Sequence, residues 1–466
     1  LIAGFLALIL VGGVGAYAAQ RLWFGGGSQP ESVLPADTMA FAKVDLSPGL
    51  GQLVKIYDLS RKFPQQPDIK GANADETFDS AMSKLLTEAG LTGVSYEQDV
   101  KPWLGRRAGV GIWKDGAQKT HALMSIQVTD EGKATTSLHK ILTAGSLHNA
   151  TVGSAVGSGY ALISSALEAG GSRQAEDQAA QAALQAAGKQ SLADAPAYKA
   201  AAATISSDLL ASGYVDLDAI RSTPKVTDMM MAGKPGASSE LDATLHGQIV
   251  FGLHATDNAI ETQLRWHNAP AVKHASNIRP DVEKLPAGTA YALGLSGAVL
   301  GPVWNPVRSS LKALFTSPSG QSAVSDATLD GLLDSTVTAG CTGFASPNCK
   351  IQFTAGSEQA ANEIARLFSG AQGLKLSRSG KTLTVTVGSG TAAGAGLLAS
   401  SARYKAAIPQ TSWTVTGLLY VDIQAAASEQ KLSAKDAANI KPLSAFGLVT
   451  GLDGADAVFN ARVVIQ

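Results

Sequence analysis

The chain has 466 residues, of which 45% are apolar and 16% charged, so it holds enough apolar material for a large core and enough length for two or three domains. Thirty-seven basic side chains stand against 38 acidic ones, for a formal net charge of -1. That balance lacks the basic excess or stripe of a nucleic-acid binder, and no nucleic-acid partner is expected.

The first nineteen residues, LIAGFLALILVGGVGAYAA, carry no charge. As a helix they would run about 28 Å, close to the ~30 Å hydrocarbon core of a bilayer. Gln20 and Arg21 end the run, and Trp23 with Phe24 suits an interfacial anchor. The expectation is a transmembrane anchor and interface over residues 1–24, with the lipid bilayer as partner. A removed signal peptide is the rival reading, because Ala16-Tyr17-Ala18 resembles a cleavage site. Residues 25–30, GGGSQP, read as a flexible linker.

The remainder reads as one pattern used twice. Leu34-Pro35-Ala36-Asp37-Thr38 precedes MAFAKVDL, and Leu285-Pro286-Ala287-Gly288-Thr289 precedes AYALGL, 251 residues later. Both continuations alternate as strands do. In each half a helical stretch follows, then a hairpin. GRRAGVGIWKDGAQKTHALMSIQV turns at Asp115-Gly116, and its counterpart is AGCTGFASPNCKIQF, with Ile126-Gln127 matched to Ile351-Gln352. The next helices show apolar faces at Ala134, Leu138, Ile141 and Leu142, and at Ala360, Ile364, Leu367 and Phe368. A glycine turn and strand come next, at Gly159 and Gly380, and then Tyr198-Lys199-Ala200 with Tyr214-Val215-Asp216, repeated as Tyr404-Lys405-Ala406 and Tyr420-Val421-Asp422. The expected fold class is α+β: the transmembrane helix, then two homologous modules (31–266 and 282–466, joined by a linker over 267–281), each a mainly antiparallel sheet with helices packed to one face. The halves differ most at the Ala- and Gln-rich stretch around Gln174 to Ala187, expected to be an exposed helix.

Chemistry-bearing patterns are sparse. Cys341 and Cys349 flank a Ser-Pro-Asn turn, which fits a disulfide across a hairpin or two free thiols. The disulfide is preferred, since no CxxC spacing or neighbouring ligand suggests redox or metal chemistry. None of the seven histidines falls in an HExxH pattern, and there is no GxSxG elbow or phosphate loop. Asp216 and Asp422, repeated acids at strand ends, suit helix caps better than a carboxylate dyad. No catalytic, cofactor or metal residue is assigned, and no enzymatic activity is expected. Trp103, Arg106 and Arg107 form a basic, indole-containing spot suited to a membrane interface or partner, with a solvated strand entry as the plainer account. Met229, Met230 and Met231 suit an apolar groove or an ordinary packed loop.

The LPAxT openings, KPWLGRRAGVGIW (Lys101 to Trp113), SLADAPAYKAA from Ser191 and the YVD strand resemble an actinobacterial family. Its members are single-pass, membrane-anchored cell-envelope proteins of unassigned function. The resemblance implies a cell-membrane location with the bulk of the chain extracytoplasmic. With the anchor and the doubled module, it leads to the expectation of a non-enzymatic accessory or docking subunit for integral-membrane or envelope proteins. The alternative is a carrier or chaperone for lipid or lipoprotein, with an apolar groove.

Overall fold

The computed structural model describes residues 29–45, 50–64, 83, 86, 93–143, 151–168, 171–223, 246–314, 324–343, 348–368, 373–388 and 396–466. They form a mixed α+β fold in two compact units, one mainly of residues up to Asp257 and the other mainly of Asn258–Gln466.

The first unit carries strands β1 (Ala40–Asp45), β2 (Leu104–Lys114), β3 (Thr120–Val128), β4 (Gly153–Gly157), β5 (Tyr160–Ala166), β6 (Ala211–Asp216) and β7 (Gln248–Ala255). Its helices are α1 (Leu50–Ser60), α2 (Glu131–Thr143), α3 (Arg173–Lys189), α4 (Pro196–Ala202) and α5 (Leu217–Arg221). The strands lie in the order β4-β5-β3-β2-β1-β6-β7, every pair antiparallel.

The second unit carries β8 (Ala259–His267), β9 (Tyr291–Ser296), β10 (Thr336–Cys341), β11 (Cys349–Thr354), β12 (Leu374–Ser379), β13 (Thr382–Val387), β14 (Thr414–Asp422), β15 (Leu443–Asp453) and β16 (Asp456–Ile465). Its helices are α6 (Arg279–Glu283), α7 (Trp304–Leu314), α8 (Asp326–Asp330), α9 (Glu358–Phe368), α10 (Ala402–Ala407), α11 (Ile423–Ser428) and α12 (Ala434–Ile440). The order is β12-β13-β11-β10-β9-β14-β15-β16-β8, again antiparallel throughout.

The first seven strands of the two orders follow the same connectivity, and the central strands β1 and β9 start 251 residues apart. Ala42 lies opposite Val110 and Gly213, while Leu293 lies opposite Ala339 and Leu419. The ladders also refine the match. Val110 pairs with Met124 and Ala339 pairs with Ile351, so the counterpart of Ile351 is Met124, two residues before Ile126. A shift of two leaves every side chain on its own face of a strand, so alternation in the sequence cannot detect it.

Helices cover both faces of the first unit's sheet at its β5 end. Leu162 joins a core with Leu34, Phe41, Trp113, Leu123, Ala183, Tyr198 and Tyr214. Its neighbour Ala161, pointing the other way, joins Tyr96, Trp103, Ala134, Leu138 and Ile141. Thus α3 and α4 pack on one face and α2 on the other, not all on one face as expected. The apolar stripe of α2 is buried at Ala134, Leu138, Ile141 and Leu142. Contrary to the expectation of an exposed helix, α3 buries Ala179, Ala180, Ala183 and Ala187. Methyl side chains on that stripe let the helix come close to the sheet. A Cβ at Gly153 of β4 would lie 2.1 Å from the backbone nitrogen of Asp177, so only glycine fits there.

The membrane expectations require correction. Among the described residues no helix is long and apolar enough to cross a membrane. The seventeen-residue α3 has charged and polar groups along one side. The expected anchor, Leu1 to Phe24 with Trp23, lies outside the described residues, as do Met229, Met230 and Met231. The transmembrane element of the fold class, the bilayer partner through residues 1–24 and the single-pass extracytoplasmic location are therefore withdrawn. The docking role for envelope or membrane-complex proteins, and its lipid-carrying alternative, go with them.

Candidate functional site

A turn, a strand register and a helix start build a buried polar cluster in the first unit. In the loop between β2 and β3, Asp115 Oδ1 accepts the backbone N–H groups of Ala117 at 2.9 Å and Lys119 at 2.8 Å. That Asx-type turn leaves Oδ2 free to meet His121 Nε2 at 3.2 Å. On β3, His121 and Leu123 share a face, and Leu123 lies opposite Ser164 of β5, which puts Ser164 beside the imidazole. Glu176, in the first turn of α3, reaches down onto that face. Its Oε2 accepts the Ser164 hydroxyl at 2.7 Å and lies 3.0 Å from His121 Nδ1. The Ser164 oxygen is 3.3 Å from the same Nδ1. Relative exposure is 2% for His121, 0% for Ser164 and 1% for Glu176. Trp113 packs on the imidazole with ring centroids 6.1 Å apart, and its indole N–H donates to Asp37 at 2.9 Å.

Serine, histidine and acid thus meet, but not as a nucleophilic relay. A relay needs the serine on one ring nitrogen and the acid on the other, with the hydroxyl open to substrate. Here Asp115 and Ser164 do sit on opposite ring nitrogens, but Glu176 crowds Nδ1 beside Ser164, and the hydroxyl is closed off and donates to that carboxylate. A groove of about 420 Å³ beside α1 is lined by Gly51, Val54, Lys55, Asp58 and Asp257, none of them in the cluster. No group of three His, Cys, Asp or Glu side chains among the described residues is arranged to hold a metal ion.

A second buried polar set lies in the same unit. Lys43 Nζ donates to Glu31 Oε1 at 2.6 Å, and the Tyr198 hydroxyl donates to the same oxygen at 3.2 Å. Burial, with the Glu31 charge beside it, pushes the Tyr198 pKa well above that of an ordinary phenol. By register the second unit has Gly294 in place of Lys43, and at the same offset of 251 residues Val282 stands in place of Glu31, with Ile278 and Val282 filling the space above Gly294. The His121 cluster is likewise confined to the first unit: Thr386 stands at the position of Ser164, and Glu176 belongs to a helix with no counterpart among the described residues of the second unit. In the second unit, Glu261 is buried among Asn460, Arg462 and Gln263. Burial raises its pKa, but those hydrogen bonds and the guanidinium charge outweigh it and hold the carboxyl below its ordinary value.

The residues singled out in the sequence are dispersed. Trp103 is 2% exposed, and its indole N–H donates to the Asp99 carbonyl at 2.6 Å. Arg106 is exposed on β2, while the half-buried Arg107 pairs with Asp45 at 3.4 Å. Cys341 and Cys349 are joined in a disulfide, directly opposite one another on β10 and β11. Asp216 and Asp422 each cap the following short helix, accepting the N–H groups of Ala219 and Ala425 at 3.0 Å. The sequence reading missed the His121 cluster. Its available signals were the Asp115-Gly116 turn six residues before His121, and the acid-bearing helix unmatched in the second half. No family model, curated protein or solved structure matches the chain.

Proposed function

We propose that this chain is a non-catalytic scaffold protein, in which the buried polar sets fix the geometry of the first unit and do not turn over a substrate. The observation that carries this reading is the closure of the His121 cluster: a fully buried Ser164 shares Nδ1 with Glu176. A nucleophile needs an approach for substrate and oxyanion donors around the attacked carbon. Ser164 is instead surrounded by its own hydrogen-bond partners and by α3. Such a network specifies one packing of helix on sheet, because each member left unpaired in the interior is costly.

The test is exposure of the full chain to a fluorophosphonate probe, followed by peptide mapping, alongside a panel of activated ester and amide substrates. Ser164 is expected to remain unmodified, with hydrolysis at the background rate. Labelling of Ser164 that disappears in His121→Ala would overturn the reading.

A further inference from the structure

We propose that the edge strand β12 of the second unit is a docking strand for an extended, acidic segment of a partner protein, which pairs along it as one more strand. The two units treat this edge differently. Among the described residues of the first unit, the outermost strand β4 pairs only with β5, and α3 packs against it. Gly153 lies against the backbone of Glu176 and Asp177, and Asp177 Oδ1 accepts the Ser154 backbone N–H at 2.7 Å. The side chain of a covering helix therefore satisfies an edge amide, one of the ways proteins blunt an open sheet edge.

By register, Ser154 corresponds to Leu376 of β12. Between β5 and the Leu192–Asp194 turn the first unit has room for the seventeen residues of α3. Between β13 and the equivalent Leu398–Ser400 turn, only residues 388–397 are available, too few for such a helix. Among the described residues, β12 pairs with β13 alone, and no backbone group of Leu374–Ser379 bonds outside that ladder. Lys375, Ser377, Arg378 and Ser379 are exposed. An open edge with free backbone groups is the surface that strand addition uses.

Charge selects the occupant. From Gly373 to Gly388 the chain carries Lys375, Arg378 and Lys381 and no acidic residue. Among the described residues Arg378 bonds only neutral groups, Gly380 O and Asn362 Oδ1, and Lys381 donates to Gly356 O at 2.9 Å. The cations therefore keep their charge for a partner. A second copy of the same strand would set like charges against each other across the new ladder, which is unfavourable. An acidic segment turns the same positions into attractive cross-strand pairs, and glutamates three residues apart match the spacing of the cations.

The test uses the full chain and a fluorescein-labelled peptide of sequence Thr-Glu-Val-Thr-Glu-Val-Thr-Glu, with anisotropy for affinity and hydrogen–deuterium exchange for location. Expected are saturable binding that weakens with salt, and new protection confined to β12. The double variant Lys375→Glu/Arg378→Glu should bind at least tenfold more weakly. On the unaltered chain, the peptide with lysine replacing glutamate should not bind, nor should one that keeps its charge but carries N-methyl groups on alternate amides. The proposal is overturned by failure of the acidic peptide to bind, by protection elsewhere, or by equal binding of the charge-reversed variant. Equal binding of the N-methylated peptide would also overturn it, since the cations would then attract charge without strand pairing.

Discussion

At the residue scale, Glu176 holds the first unit's polar cluster together, because one carboxylate oxygen serves both Ser164 and His121. Glu176→Ala would leave a buried hydroxyl and a buried ring nitrogen without their acceptor. The expected loss is about 3 kcal/mol, against about 1 kcal/mol for Ser164→Ala, which removes a donor and leaves the carboxylate its other contact. Urea denaturation of the two variants measures both values, and equal losses would argue against this division of roles. These residues were hard to read from the sequence for a physical reason. Asp115, His121, Ser164 and Glu176 have no fixed spacing, and they meet only because the β3–β5 ladder sets Leu123 opposite Ser164. By contrast, Asp216 and Asp422 could be read as caps, since a helix start three residues away supplies the partner.

At the element scale, α8 and α9 are coupled through one carboxylate. Glu363 on α9 accepts the backbone N–H of Ser325, the residue that caps α8, at 2.8 Å, and also the Gln359 amide at 3.2 Å. Partial burial raises its pKa, but these bonds outweigh that effect and bring it to about 2 from 4.5. A depressed folded-state pKa contributes stability that is fully present above 4.5 and is lost as pH falls towards 2. Acid titration of the folded chain should therefore show a loss of helix contact in that window. In Glu363→Gln that part of the pH dependence should disappear, with lower stability at neutral pH. Circular dichroism against pH for the two proteins checks this, and an unchanged acid slope in the variant would refute it. The helix itself was legible from its amphipathic stripe. Its link to α8 was not, because Ser325 and Glu363 are 38 residues apart and nothing local marks the pair.

At the scale of the whole molecule, each unit has its own core. One gathers around Phe41, Leu123, Leu162 and Tyr214, and the other around Ile278, Leu418, Tyr420 and Val449. The polar sets that hold α3 and α4 are found in the first of these. Destabilisation by Glu176→Ala should therefore open the first unit preferentially. Hydrogen exchange is expected to speed up in β3, β5 and α3 while β9 and β14 keep their protection. Uniform acceleration across all five elements would show instead that the chain opens as one cooperative body.

The sequence by itself determined what depends on near neighbours. Alternating side chains marked β1 and β9, the Asp115-Gly116 turn marked a hairpin, and the stripe of Ala134, Leu138, Ile141 and Leu142 marked the buried side of α2. These patterns are set within a few residues, where the periods of strand and helix act. Tertiary structure alone decided that α3 lies buried against Gly153, that His121 finds two carboxylates, and that α3 packs on β4 while β12, among the described residues, pairs with β13 alone. Each of those outcomes turns on strand register or on a helix crossing a sheet edge. Such choices bring together residues tens of positions apart, and a two-residue slip in register leaves the alternation, and so the local signal, unchanged.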